Sequence, residues 1–271
     1  MTSSYMKKAK MPTYALLGAT GSTGSAILRC LLKQPPKNLN LNIFVRSRPK
    51  LLKQFPDLES TSPFKINIIE GTPDDAPSIQ KCLQDVDVMM ACIATNESNR
   101  SVSLVYDTAT AIVTALRAHQ KDQNSTYKTP TIIQLRSASL NPVLKAHGPW
   151  IGSAMAGFCF HYVYADLERA CNLFASSASE SPGLLKYIFV DPPSIHDADG
   201  ATPTGYKLIL DEAQEPAMSY ADLGAAFCEV AERRAEFAGK GVGVTATGHV
   251  NLTWGVLMGY MATGVKSRLW G

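Results

Sequence analysis

The sequence predicts an α/β fold with a doubly wound parallel sheet and a small C-terminal substrate cap. Short apolar runs alternate with segments of helical spacing along the first two thirds of the chain, a pattern typical of strands joined by crossover helices. A glycine-rich turn follows the first apolar run. The composition agrees, since 45% hydrophobic and 18% charged residues in a chain of 271 suit a globular protein with a substantial core.

Six apolar runs are predicted to form the strands. They are Tyr14–Leu17, Leu41–Val45, Ile66–Ile69, Val86–Ile93, Thr131–Leu135 and Leu185–Val190. The fourth run is uninterrupted, so we expect it at the centre of the sheet. Helices are predicted at Gly24–Leu32, Ala76–Leu83, Ser101–His119 and Phe158–Phe174. The polar stretches 120–129 and 176–183 are typical of surface loops.

Beyond Asp191 the regular alternation fades. Tyr206–Leu210 and Val242–Val244 are predicted to be added strands, and Ser219 to Asp222 have the pattern of a capping box that opens a helix. No linker separates two domains. We therefore expect a single α/β domain over residues 1–271, with a core at about 13–190 and a C-terminal cap at about 191–271.

Bulk properties argue against several function classes. A net charge of +3 is too small to indicate a nucleic-acid or acidic-membrane partner. No run reaches the length of a membrane span, and residues 1–8 lack the apolar run of a secretory signal. The six cysteines include no C-x-x-C pair, which favours reduced thiols and a cytoplasmic location. No group of side chains has metal-ligand spacing, so no metal is expected.

The strongest functional signal is the turn after the first strand, which carries Gly18, Gly21 and Gly24. Glycine permits a tight turn at the first position, close approach of a pyrophosphate at the second, and close helix packing at the third. The helix that follows offers free N–H groups and a partial positive charge to a phosphate. Three hydroxyl side chains can add donors: Thr20, Ser22 and Thr23. The turn predicts a dinucleotide site on a Rossmann fold.

The end of the second strand bears on which dinucleotide is bound. An NAD site usually has a carboxylate there, whereas this chain has Arg46 and Arg48 with no carboxylate nearby in the sequence. Guanidinium groups suit a 2′-phosphate, so we expect NADP(H) rather than NAD(H). The alternative is that both arginines are solvated loop charges.

Three further turns follow strands and should face the same ligand. Ala94, Thr95 and Asn96 follow the fourth strand, on the expected ribose side. Ser137 and Ser139 follow the fifth strand, near the expected nicotinamide. A stiff corner with two further candidates ends the sixth strand: Pro192 and Pro193. Each has a structural alternative, as a polar turn or a strand terminator.

Taken together, these motifs resemble the NAD(P)H-binding atypical short-chain dehydrogenases, the NmrA-like and biliverdin-reductase-B-like proteins. Within that group the chain resembles fungal proteins of the averufin-oxidase type, which belong to polyketide pathways. The resemblance covers roughly Tyr14 to Arg234. It implies an NADP(H)-binding Rossmann fold, a cofactor contact at Gly71 in the segment Glu70-Gly71-Thr72, and small hydrophobic, often aromatic, substrates.

The chain departs from typical short-chain dehydrogenases at the catalytic dyad. Those enzymes use Tyr-x-x-x-Lys, but here Asp166 stands four residues after Tyr162 and Glu168 stands four residues after Tyr164. A carboxylate does not stabilise a tyrosinate, so another proton route is needed. The candidates for it are Tyr164, Asp166, His161 and Ser137.

We therefore expect an NADP(H)-dependent oxidoreductase of a small hydrophobic metabolite, as a monomer or homodimer. The substrate is expected under a lid formed by Trp150–Phe160 and Asp197–Gly205. Two alternatives remain open on the same fold: a cyclase or isomerase with no net redox step, and an NADP-sensing regulator without catalysis.

Overall fold

The computed structural model describes residues 11–95, 99–147, 157–196 and 202–250, and three isolated positions beyond 251. Within them the strands are β1 (Thr13–Leu17), β2 (Asn40–Val45), β3 (Lys65–Glu70), β4 (Val88–Ala91), β5 (Thr131–Leu135), β6 (Lys186–Asp191), β7 (Ser194–His196), β8 (Tyr206–Ile209), β9 (Ala217–Ser219) and β10 (Gly241–Ala246). Eight of these strands form one sheet in the order β3-β2-β1-β4-β5-β6-β10-β8. Only β8 pairs antiparallel there, while β7 and β9 form a separate parallel pair. The predicted parallel α/β sheet is confirmed.

Helices cover both faces of this sheet. They are α1 (Ser22–Lys33), α2 (Arg48–Gln54), α3 (Ala76–Cys82), α4 (Leu104–Gln123), α5 (Pro142–His147), α6 (His161–Glu180), α7 (Tyr220–Glu232) and α8 (Arg234–Phe237). Helices α1 and α7 pack together over one face, and α3, α4 and α6 cover the other. Successive side chains of a strand point to opposite faces of the sheet. In β1, Leu16 therefore packs into the core on the α1–α7 face, and Leu17 packs into the core on the face covered by α3, α4 and α6.

The central position of β4 follows from its sequence. Every residue from Val88 to Ala91 is buried, and the strand pairs with β1 on one side and β5 on the other. A strand with both faces covered requires apolar side chains at every position, which is why this run lacks polar alternation. The prediction of a central strand is confirmed.

Both polar stretches expected to be loops are partly helical, since α4 continues to Gln123 and α6 to Glu180. Helix α6 continues to Glu180 because the small residues after Phe174 contain no helix breaker, and the chain turns only at Gly183, where φ is +86°. Helix α2 begins at Arg48 and was not predicted. Ser47 caps it by accepting a hydrogen bond from the Lys50 amide, and proline occupies its first turn.

The C-terminal third contributes to the core as well as to the region beyond it. Strand β10 pairs with β6 inside the main sheet, and Val242 and Val244 are fully buried. Helix α7 begins as the capping box predicts, with the Ser219 hydroxyl accepting from the Asp222 amide. A boundary near residue 190 therefore does not separate core from cap, because the sheet and the α1 face are completed by later residues.

Within the described ranges, no helix combines the length and apolarity that a membrane crossing needs. Four of the six cysteines are buried and two are half-buried, all with free thiols. The expected lid segment Trp150–Phe160 lies mostly outside the described residues. Asn96 and residues 197–201, which begin the second expected lid segment, also lie outside them.

Candidate active site

Most of the predicted site residues within the described ranges lie at one edge of the sheet. The six strands β1 to β6 run parallel, so the segments after their carboxyl ends converge. These segments begin at Gly18, Arg46, Gly71, Cys92, Arg136 and Pro192. Such an edge is where open α/β sheets bind ligands.

The glycine turn has the shape that a pyrophosphate requires. Gly18 has φ of +89°, and a Cβ there would lie 2.6 Å from the Cys92 carbonyl oxygen. A Cβ at Gly24 would lie 2.1 Å from the Gly18 carbonyl oxygen, so the helix passes against the turn. At Gly21 that same oxygen is the one atom of the described residues within 4 Å of a built Cβ, at 3.3 Å. Gly21 thus faces open space, as a position for close ligand approach should.

The first turn of α1 is prepared for an anion. Its N-cap is Gly21, which has no side chain to cap the helix, and the first turn contains no acidic residue. The free amides and the helix dipole therefore point at the open space above Gly21. Thr20 is half-buried and Ser22 is exposed, whereas Thr23 is buried and leaves little of its hydroxyl to a ligand. A dinucleotide pyrophosphate fits these groups.

The two arginines after β2 differ in their ion pairs, which the sequence does not indicate. Arg46 is exposed and forms no ion pair with any described residue. Arg48 pairs with Glu59 at 2.5 Å, and its amide lies 3.3 Å from Glu70 Oε2. The sequence shows no carboxylate nearby, but the fold brings Glu59 and Glu70 to this segment. Arg46 is consequently the better placed guanidinium for an adenosine phosphate.

Gly71 is required by packing. Its amide donates to the Val45 carbonyl at 3.0 Å, continuing the β2–β3 pairing. A Cβ there would come within 3.1 Å of Ser78, Asp75 and Phe44. At the turn after β4, Ala94 is exposed and Thr95 is half-buried, at the same edge.

The Pro192 corner is tied to the segment after β5. The Arg136 amide donates to the Val190 carbonyl at 2.8 Å, and the Ala138 amide donates to the Pro192 carbonyl at 3.0 Å. The backbone pairing of β5 and β6 thus continues past both strands, with Pro192 buried and Pro193 half-buried. This pairing fixes where the Ser137 side chain stands.

Ser137 and Tyr164 are brought together across the cleft. Their hydroxyl oxygens lie 3.2 Å apart, and either can donate. Tyr164 also packs against the Phe160 ring, with centroids 5.6 Å apart. A cavity of about 200 Å³ opens beside them, lined by Ser139, Leu140, Lys145, Gly157, His161, Tyr164, Ala165 and Glu168. The hydroxyl pair can pass a proton to or from an oxygen held in this cavity.

His161 lines the same cavity and is exposed, with its ring edge against Tyr162. Lys145 and Glu168 also line it, and neither was predicted from the sequence as a site residue. Lys145 belongs to α5, a six-residue helix without a strong periodic signal. Glu168 stands where the typical dyad has its lysine, so that position does face the cavity.

Asp166 does not face the cavity, as its predicted catalytic role would require. It is buried, and its two oxygens accept hydrogen bonds from the amides of Val105 at 2.9 Å and Tyr106 at 3.1 Å. These amides belong to the first turn of α4, so Asp166 caps that helix from α6. With both oxygens directed at α4, it positions the helix that carries Tyr164.

Behind the site lies a buried ion pair. Arg136 Nε and Nη2 each donate to Asp191 at 2.6 Å, and Asn141 donates to the same carboxylate at 2.7 Å. Burial raises the pKa of Asp191, and the hydrogen bonds from Arg136 act against that rise. The Arg136 guanidinium also lies 4.7 Å from the Phe189 ring centroid. The pair locks together the ends of β5 and β6 that carry Ser137 and Pro192.

Comparison with known proteins agrees with this geometry. Residues 18–234 match the family model described as NAD(P)H-binding. The chain belongs to that family. It is an atypical short-chain dehydrogenase related to fungal polyketide-pathway proteins, which confirms the resemblance stated from the sequence motifs, and it is an oxidoreductase that binds a nicotinamide cofactor.

The chain is similar to proteins named averufin oxidase. It is 53% identical over 263 residues to averufin oxidase A of Dothistroma septosporum, covering 95% of this chain and 92% of that protein. It is 48% identical over 259 residues to averufin oxidase A of Aspergillus flavus, covering 96% and 91%. Among solved structures, a short-chain dehydrogenase/reductase from Veillonella parvula in complex with NADP has a TM-score of 0.61 at 17% identity, covering 88% and 96%. That likeness supports the Rossmann-like fold.

Proposed function

We propose that this protein is an NADP(H)-dependent oxidoreductase of a small, apolar, aromatic polyketide of the averufin type. The observation that carries the proposal is the Ser137–Tyr164 hydroxyl pair, which stands beside a cavity at the same sheet edge as the glycine turn. The names of the relatives support an oxidative step on averufin or a similar molecule.

The chain's own residues would divide the work as follows. The α1 amides and Gly21 hold the pyrophosphate, and Arg46 holds the adenosine phosphate. The bound nicotinamide supplies or accepts a hydride at a substrate carbon. Tyr164 gives a proton to the substrate oxygen in the reducing direction and takes one in the oxidising direction, with Ser137 holding its hydroxyl in place. Reduction adds one hydride and one proton to the substrate, and oxidation removes one of each, so both directions balance.

The dyad lysine has no counterpart on α6, because Glu168 occupies its place. Tyr164 is therefore not activated by a cation one turn away. Ser137 and His161 are the groups of the site that can exchange its proton with solvent, the first by hydrogen bond and the second from the cavity wall. Asp166 serves the reaction by fixing α6 against α4.

Replacing Tyr164 with phenylalanine should lower kcat by about 100- to 10,000-fold while leaving cofactor affinity unchanged, because it removes one hydroxyl and keeps the ring. The measurement is steady-state NADP(H) turnover with averufin as substrate. Tyr162→Phe is the matched control, since that hydroxyl bonds to Arg100 outside the cavity and its loss should leave kcat near the wild-type value.

Full activity in Tyr164→Phe would rule out Tyr164 as the proton donor. Conversion of the substrate with no change in cofactor absorbance would favour the cyclase or isomerase alternative. Cofactor binding without turnover of any polyketide would favour the regulator.

Replacing Arg46 with alanine should weaken NADPH binding by roughly 10- to 100-fold and leave NADH binding unchanged, because only NADPH has the phosphate that the guanidinium would hold. Titration calorimetry with both coenzymes measures this. Arg48→Ala should have a smaller effect, since Glu59 already holds that side chain. Equal losses for NADPH and NADH would overturn the proposed preference.

A further inference from the structure

Two thiols meet where α1 packs against α7. Each of these helices runs opposite to the parallel strands it neighbours, so the two lie side by side in the same direction. They are in backbone contact at Gly224, where a Cβ would come within 2.6 Å of Ala26. One turn further along both helices stand Cys30 and Cys228, so the same packing brings their side chains side by side, and each thiol shifts the pKa of the other.

The contact makes the two thiols unequal. The neighbouring Cys228 thiol lowers the pKa of Cys30; burial and the Glu232 carboxylate act against this, and Lys33 acts with it. The Cys30 thiol in turn raises the pKa of Cys228 well above its usual range. Both residues are half-buried, so a small disulfide can reach this contact. Cys30 is thus the better nucleophile of the pair, since the thiolate is the reactive form.

The other cysteines are unlike this pair. Burial raises the pKa of Cys82 and Cys171 to about 12, and it raises that of Cys92 further. Cys159 is buried as well. Thiols buried in this way are poorly reactive, because burial disfavours the thiolate. Reactivity therefore concentrates at the α1–α7 contact.

We propose that Cys30 and Cys228 form a reversible dithiol site, which low-molecular-weight disulfides such as glutathione disulfide oxidise to a disulfide bond. The Cys30 thiolate attacks one sulfur of the small disulfide, forms a mixed disulfide and releases one thiolate. That thiolate takes the Cys228 proton, and the Cys228 sulfur then attacks Cys30 and releases the second thiolate, which takes the proton that Cys30 had lost. The two protein thiols lose two electrons and two protons, and the small disulfide becomes two thiols.

The bond would have a structural consequence for the cofactor-binding helix. Helix α1 carries the glycine turn at its N-terminus and Cys30 in its last turns, while α7 leads through α8 into β10. A disulfide here fixes α1 to the part of the chain that completes the sheet. Because Cys30 and Cys228 lie far apart in sequence, the closed loop is long, and the oxidised protein should unfold at a higher temperature than the reduced protein.

The test is oxidation of the full-length folded protein by glutathione disulfide, followed by intact and peptide mass spectrometry. We expect loss of the mass of two hydrogen atoms, a cross-linked peptide pair containing Cys30 and Cys228, and a higher melting temperature that dithiothreitol reverses. Cys228→Ser should instead accumulate one glutathione at Cys30, because it lacks the thiol that resolves the mixed disulfide. Cys30→Ser should gain neither the cross-link nor glutathione.

Circular dichroism of both serine variants establishes that they are folded. A cross-link between other cysteines would overturn the proposal. So would a folded wild-type protein that stays fully reduced in glutathione disulfide, or a Cys228→Ser variant that takes glutathione at another cysteine first.

Discussion

Replacing Asp191 with asparagine should lower the free energy of unfolding by about 3–5 kcal/mol. The carboxylate is fully buried, while the Arg136 side chain is 13% exposed. Asparagine keeps the shape but removes the negative charge, so a nearly buried guanidinium is left without its counter-ion. Loss of one partner of a buried pair is costly for that reason, even where the intact pair adds little net stability.

Urea unfolding followed by circular dichroism measures the effect. Glu59→Gln is the matched control, because it breaks an ion pair with Arg48 whose side chains are 48% and 44% exposed, and such pairs contribute about 0–1 kcal/mol. The double variant Arg136→Met with Asp191→Leu removes both charges and should recover much of the lost stability. An Asp191→Asn variant as stable as the wild type would show that the Arg136–Asp191 pair does not lock β5 to β6.

Replacing Gly21 with alanine should abolish tight cofactor binding while the protein keeps its stability. Gly21 has φ of −85° and ψ of 167°, which alanine adopts without strain. Among the described residues the new methyl group has one contact within 4 Å, at 3.3 Å from the Gly18 carbonyl oxygen, which a shift of a few tenths of an ångström relieves. That methyl group points into the space above the α1 amides. We expect NADPH affinity to fall by about 100-fold, which corresponds to about 2.7 kcal/mol.

Gly24→Ala is the contrasting variant. Its methyl group would stand 2.1 Å from the Gly18 carbonyl oxygen, so either the turn or the helix must move. Overpacking of this kind lowers stability by about 1–3 kcal/mol, and cofactor binding should fall with it. Thermal unfolding and calorimetry of both variants separate the two effects. Unchanged NADPH affinity in Gly21→Ala would place the pyrophosphate elsewhere.

Much of the sheet could be predicted because its signals are local. A strand such as Thr131–Leu135 is read from an apolar run of the right length, and the glycine turn from three residues whose spacing is set by backbone geometry. The ends of the helices were predicted less accurately. The end of α6 at Glu180 depends on where a breaker stands, and polarity alone indicated a loop there.

The partners of polar side chains were not predictable in the same way. The sequence marked Asp166 as a possible catalytic carboxylate because it stands four residues after Tyr162, on the same predicted helix as Tyr164. In the fold it caps α4, with its hydrogen bonds made to residues about sixty positions away. Arg48 likewise looked free for a phosphate until the fold placed Glu59 beside it.

The sequence by itself determined the fold class, the position of the dinucleotide turn and the absence of a dyad lysine after Tyr164, because each depends on residues that are neighbours in the chain. Only the tertiary structure decided that Ser137 meets Tyr164, that Arg136 pairs with Asp191, and that Cys30 lies beside Cys228. Those contacts depend on strand order and helix packing, which bring distant segments within bonding distance and which no local pattern specifies.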